Sequence, residues 1–157
     1  MINIINIIIK LLSTVFFVGY LPLMPGTFGT IAGLWLYLFY IKGNNALLFI
    51  YTLVFLFIGL LITGRAEKLF NRKDPKNIVI DEVCGILICF LFVPFDLRLA
   101  LIGFMVFRIL DAVKPYPCSR LESLKGSLGI MSDDIIAGLY TNIVLQAFLR
   151  LASFKVS

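Results

Sequence analysis

The sequence contains no histidine, which removes every mechanism that needs an imidazole as base, nucleophile or metal ligand. Charge is scarce as well: Asp, Glu, Lys and Arg make up 15% of the 157 residues, too little to coat a water-facing surface in the usual way. Cysteine is limited to three, an odd number with no paired spacing, which argues against a disulfide framework. Cys84 and Cys89 lie inside an apolar run and read as packing residues, not redox ones. Internal repeats, low-complexity linkers and domain boundaries are also missing, so residues 1–157 read as one domain.

What the chain does have is apolar mass. Hydrophobic residues reach 61% and the mean hydropathy is +1.02, beyond the roughly half-apolar composition of soluble globules. The bilayer is the expected solvent. A net charge of +5 raises the question of nucleic acid, but the aromatic residues sit in apolar runs and not among the basic ones. The positive charge instead fits cytoplasmic flanks of membrane spans facing anionic headgroups, and no nucleic-acid partner is expected.

Residues 2–21 are apolar, yet they lack the basic start and Ala-x-Ala site of a signal peptide. Asn3, Asn6, Lys10 and Ser13 fall on one helical face, which suggests an interfacial helix within 1–21, with a true span as the alternative. Five further apolar segments follow at 28–41, 46–63, 78–93, 97–110 and 135–152. Several are shorter than the roughly 20 residues that cross the hydrocarbon core, so they are short spans or, in part, buried core helices. The pair 28–41 and 46–63, joined by Lys42-Gly43-Asn44-Asn45, reads as a helical hairpin. The expected fold is therefore all-α: an integral-membrane helical bundle with short transmembrane helices and an N-terminal interfacial helix. Loops 64–77 and 111–134 carry eight Lys and Arg residues, which assigns both to the cytoplasm. Alternation then puts 22–27 inside, and 42–45 and 94–98 outside.

Nine acidic residues remain to be explained. Glu67, Asp74, Asp96 and Glu122 neighbour basic residues in polar stretches and read as solvated charges. Asp81, Glu82, Asp111, Asp133 and Asp134 instead border apolar segments, where an ionised carboxylate is costly unless paired or bound to a cation. All five fall at cytoplasmic ends. Helix capping would account for Asp81 or Asp133, but not for Asp111 at a helix C-terminus, nor for two adjacent pairs. A shared hard-cation site is the better reading, and oxygen-only ligands select Mg2+ or Mn2+ over zinc.

Phosphate-binding features share that face. Pro25-Gly26-Thr27-Phe28-Gly29-Thr30 offers two glycines, two hydroxyls and a helix N-terminus, with Thr27, Gly29 and Thr30 as candidate contacts. Arg108 and Lys114 flank Asp111 at three residues on either side. Arg108 could merely snorkel to headgroups, but beside carboxylates a phosphate clamp is favoured. Cation site, basic clamp and glycine loop together are the parts of a phosphoryl-transfer site.

Four blocks then resemble one family, the bacterial phosphatidylglycerophosphatase A proteins: PGTFGT at 25–30, DEVCG at 81–85, RILDAVKPYP at 108–117 and GIMSDDIIAG at 129–138. They follow the family's order and spacing from about residue 19 to about 150, and residues 1–18 carry none of them. The resemblance implies Mg2+-dependent hydrolysis of phosphatidylglycerophosphate to phosphatidylglycerol and phosphate, while the chain's own hydropathy and basic loops put the expected site at the cytoplasmic face of a bacterial inner membrane that the chain crosses several times. It also implies that the family's acidic positions fall on Asp81, Glu82, Asp111, Asp133 and Asp134. The family includes soluble relatives, so the spans rest on this chain's own hydropathy.

Other phosphatase chemistries fail by inspection. A Cys-x5-Arg loop starting at Cys118 would need Arg at 124, where Leu124 stands, and no Asp-x-Asp pair occurs among these acids. The expected route is attack by a water activated at bound Mg2+, with a carboxylate as base; a phospho-aspartyl route is the variant. The rival functions are a small ion or metal transporter and a non-catalytic membrane protein whose acids only cap helices.

Overall fold

The computed structural model describes residues 3–121 and 123–154. Glu122, read above as a solvated charge, lies outside them, as does the first residue of the 2–21 segment. Every regular element among the described residues is helical.

Helix α1 (Ile4–Ser13) is capped by the Asn3 side chain, which accepts from the Ile5 N–H. Ten residues span about 15 Å, half the hydrocarbon core, so this helix alone does not cross a bilayer. Its isoleucines at 4, 5, 7 and 8 point outward, while Ser13 is buried and Lys10 lies over the Phe70 ring. The polar stripe from Asn6 to Ser13 thus turns toward the protein together with Ile9, while Asn3 and the other isoleucines stay outside. The chain then turns through left-handed Val15, Phe16 and Phe17 and a single 3-10 turn at Val18–Tyr20.

Helix α2 (Pro25–Leu36) starts three residues earlier than its apolar run, because Pro25 is preorganised for the first helical position. It continues as a π-helical turn over Tyr37–Ile41. Lys42 and Gly43 take left-handed conformations, and Asn44 caps α3 (Asn45–Phe70) by accepting from the Leu47 N–H. The expected hairpin is present, but its arms meet mainly near the turn because α4 (Ile80–Cys89) lies between them.

Helix α4 is where the expectation of a span at 78–93 needs correcting. It has ten residues, and all but Glu82 are buried. It is the core helix, packed by α2, α3, α5 (Leu97–Val113) and α7 (Ser127–Phe154). A helix that is apolar all round is buried on all sides, and here the neighbours are protein. A short α6 (Cys118–Leu121) fills the connection to α7. Two helices, Asn45–Phe70 and Ser127–Leu151, are long and apolar enough to cross a membrane.

Close packing at the centre depends on two glycines. A Cβ on Gly138 of α7 would lie 2.5 Å from the Gly85 carbonyl oxygen of α4, and one on Gly85 would lie 2.9 Å from the Asp134 carbonyl oxygen. No side chain fits between these backbones. At the far end of α4 the Asn142 amide donates to the carbonyls of Cys89 and Leu91 at 2.9 and 2.8 Å, and Gln146 in turn donates to Asn142.

Candidate active site

Four segments meet at one end of the bundle: the start of α2, the start of α4, the end of α5 and the second turn of α7. They enclose a cavity of about 230 Å³. Asp81, Glu82, Asp111, Asp133 and Asp134 all line it, as do Arg108 and Lys114.

The five acids divide into two groups. Asp81, Glu82 and Asp134 each present a carboxylate oxygen within 4.8 Å of the others. Asp111 accepts from Arg108 Nη1 at 2.7 Å, and Asp133 accepts from Lys114 Nζ at 2.9 Å. Asp81 Oδ1, Glu82 Oε2, Asp133 Oδ1 and Asp134 Oδ1 are buried without a hydrogen-bond partner. Buried polar atoms are normally satisfied, so four such oxygens around one space call for a missing ligand.

Electrostatics lead the same way. Helix α4 is too short to span, and at its start burial pushes the Glu82 carboxyl up to about 8, against a lowering hydrogen bond from Asp81. Burial, and then the charge of Glu82, pushes Asp81 well above the usual carboxylate range. These groups resist holding charge together unless a cation joins them. The all-oxygen donor set fits a hard divalent ion.

N-cap hydrogen bonding does not account for the acids, although Asp81 and Glu82 stand in the first turn of α4, where the helix dipole favours them. The N-cap position of α4 is Val79, whose side chain makes no cap hydrogen bond. Helix α7 begins at Ser127, eight residues before the apolar run at 135, so Asp133 and Asp134 sit inside the helix and not at its start.

The phosphate-binding candidates separate. Thr27 lines the cavity, and its buried Oγ1 has no partner. Thr30 is fully buried; its hydroxyl donates to the Gly26 carbonyl at 2.9 Å and accepts from Arg108 at 3.4 Å, so it steadies the guanidinium from behind. Gly29 does not line the cavity: a Cβ there would lie 2.7 Å from Val79 Cβ, so it serves the packing of α2 on α4. Its neighbour Gly26 does line the cavity, and a Cβ on it would overlap the Glu82 carboxylate. Gly26 stands in the Pro25–Thr30 loop, but nothing in its local sequence distinguishes it from Gly29 as the glycine that faces the carboxylates. Asp74, read as a solvated charge, and Lys76, one of the basic residues of loop 64–77, also reach the cavity wall while remaining exposed; no local pattern marks them.

The model of the family described as Phosphatidylglycerophosphatase A matches residues 11–149. The chain belongs to this family. The match reaches eight residues further toward the N-terminus than the blocks suggested. A phosphatidylglycerophosphatase A of Escherichia coli is 33% identical over 135 residues, covering 82% of this chain and 76% of that protein. One from Haemophilus influenzae is 33% identical over 143 residues, covering 88% and 87%. A Bacteroides thetaiotaomicron protein, provisionally named phosphatidylinositol-3-phosphatase, is 34% identical over 143 residues, covering 86% and 89%. No solved structure matches. Phosphatidylglycerophosphatase A membership makes the chain a hydrolase of lipid phosphomonoesters, and the transporter and non-catalytic readings give way to it.

Proposed function

We propose that the chain hydrolyses phosphatidylglycerophosphate to phosphatidylglycerol and phosphate, using Mg2+ held by Asp81, Glu82 and Asp134, with Asp111 and Asp133 completing the site. The observation that carries this reading is the set of unpartnered buried carboxylate oxygens beside two cationic side chains. When bound, the divalent ion supplies Lewis-acid polarisation of the phosphoryl group.

The chain's own groups supply the rest. Arg108, Lys114, the Thr27 hydroxyl and the first-turn amides of α2 receive the phosphoryl oxygens. Asp111 and Asp133 orient Arg108 and Lys114 through the ion pairs described above. The oxygen of water forms the new bond to phosphorus as the bond to the glycerol oxygen breaks. A carboxylate of the group accepts the water's proton, and the departing glycerol oxygen gains one.

We further read the chain as a multi-pass protein of the bacterial cytoplasmic membrane. Helices α3 and α7 span, α1 lies at the interface, and the cavity opens to the cytoplasm. The clustered basic loops support this sidedness.

Phosphate release by the detergent-solubilised protein tests the reading, with phosphatidylglycerophosphate and phosphatidylinositol 3-phosphate offered side by side. Release from the first, abolished by EDTA and restored by Mg2+, is expected. Full release in metal-free buffer would overturn the cation site, and preference for the inositol lipid would overturn the substrate.

A further inference from the structure

We propose that Leu23 and Met24 form an apolar lip on which the diacylglycerol part of the substrate docks while its phosphate enters the cavity. This rests on the lipid-phosphatase reading above and adds the route by which the lipid reaches the site.

Leu23 is 97% exposed and Met24 59%, yet both line the cavity that holds the carboxylates. Exposed apolar side chains on α3 are expected where a helix meets lipid, but this pair belongs to a loop at the mouth of a charged pocket. The residues immediately following, Pro25 to Thr27, form the phosphate-facing start of α2. An apolar contact and a phosphate contact are thus adjacent in the chain.

Size argues for the same division. A cavity of about 230 Å³ accommodates a glycerol phosphate headgroup, not two acyl chains beside it. The chains stay outside, and water at the mouth would penalise them unless an apolar surface met them there. Leu23 and Met24 are that surface, and just upstream in the chain Phe16, Phe17, Tyr20 and Leu21 are exposed as well.

The lip is anchored, so it can hold a lipid in register. Pro22 and Pro25 bracket it, and the Met24 N–H donates to the Pro22 carbonyl at 3.1 Å. Upstream, the Asn77 amide donates to the Gly19 carbonyl at 3.0 Å, and the Val79 N–H donates to the Ser13 carbonyl at 3.0 Å. Both ties run to the segment that leads into Asp81 and Glu82. The occupant we assign is the substrate's glycerol backbone and proximal acyl carbons, because the patch is continuous with the pocket for its headgroup.

The test compares two substrates on wild type and on the double variant L23S/M24S. One is dioleoyl phosphatidylglycerophosphate in mixed micelles, and the other is its deacylated headgroup in solution. The ratio of kcat/KM for lipid over headgroup is expected to fall about tenfold or more in the variant, through KM for the lipid. An unchanged ratio would overturn the lip. Wild type inactive on both substrates would overturn the phosphatase reading and this one with it.

A second measurement does not depend on turnover. A fluorophore on L23C, in a background free of the three native cysteines, should be quenched by nitroxide-labelled lipids in vesicles. If it is not quenched, and L23C instead cross-links to a second copy of the chain, the lip is a self-association surface and the proposal fails.

Discussion

At the scale of single residues, the acids with unpartnered buried oxygens separate from those with ordinary structural work. Asp81→Asn, Glu82→Gln and Asp134→Asn each remove a negative charge from the proposed cation site while keeping size. Each is expected to lower kcat by about 10²-fold or more, roughly 3 kcal/mol of barrier, in phosphate-release assays at limiting Mg2+. Asp96 is the control. Its Oδ1 accepts from the Arg98 and Leu99 N–H groups at 2.8 and 3.0 Å, which makes it the N-cap of α5 and not simply a solvated charge. Asp96→Asn keeps that oxygen and should leave both stability and turnover near normal. Asp96→Ala should cost about 1 kcal/mol of stability with kcat per folded molecule intact, as read by thermal unfolding in detergent alongside the assay.

At the scale of elements, the contact of α7 with α4 sets the geometry of the acids. Asp134 reaches Asp81 and Glu82 because α7 lies against α4 at Gly138 and Gly85. Gly138→Ala puts a methyl group 2.5 Å from a carbonyl oxygen, and the two helices must part. The expected result is a higher Mg2+ concentration for half-maximal turnover, with a smaller change in kcat at saturating metal. Asn142 acts at the other end of α4, where water cannot reach the last carbonyls if the reading of a membrane bundle holds. Asn142→Leu is expected to lose about 1–3 kcal/mol of stability, measured as a lower unfolding temperature in detergent.

The same elements show what could be read from sequence. Apolar runs located every helix except α6, but their ends were displaced wherever a helix passes out of apolar surroundings. Helix α3 continues seven residues beyond its run, through Arg65, Glu67 and Lys68, because only one face of this extension is apolar: Ala66, Leu69 and Phe70 pack on the core while charged residues stand between them. Helix α7 starts eight residues early because its polar first turns line a cavity. Hydropathy measures surroundings, not backbone, so it missed both extensions, and it could not distinguish a lipid-facing helix from the protein-buried α4. At the site, the convergence of the five acids beside Arg108 and Lys114 was legible from spacing, although Asp133 and Asp134 reach it from inside α7 and not from its end, and Arg108 pairs with Asp111. The Lys114–Asp133 pair, the wall positions of Asp74 and Lys76, and the inward turn of Gly26 depend on tertiary placement.

For the whole molecule, the loops divide cleanly between two ends. Segments 23–27, 74–78, 108–114 and 130–134 gather around the cavity. At the opposite end the turn at Gly43 packs against Phe95. The segments expected on one side share one end of the bundle, and the compartment each end faces can be measured. A cysteine at Lys73 should be shielded from an impermeant thiol reagent in intact cells, and one at Asn44 should be labelled. The reverse pattern would invert the topology and place the cavity outside.

Helix α4 has a consequence for how the protein is made. It is ten residues long, buried on nearly every face, and its final carbonyls are satisfied by Asn142, a residue synthesised some fifty positions later. While the ribosome is still translating, α4 has neither the length to insert as a span nor the partner that completes its hydrogen bonds. The two carboxylates at its head are equally without Asp134. Helix α4 therefore gains its last hydrogen-bond partner and the third carboxylate of the cluster only once α7 has been made. Newly made chains stalled before α7 should be the ones that membrane proteases remove.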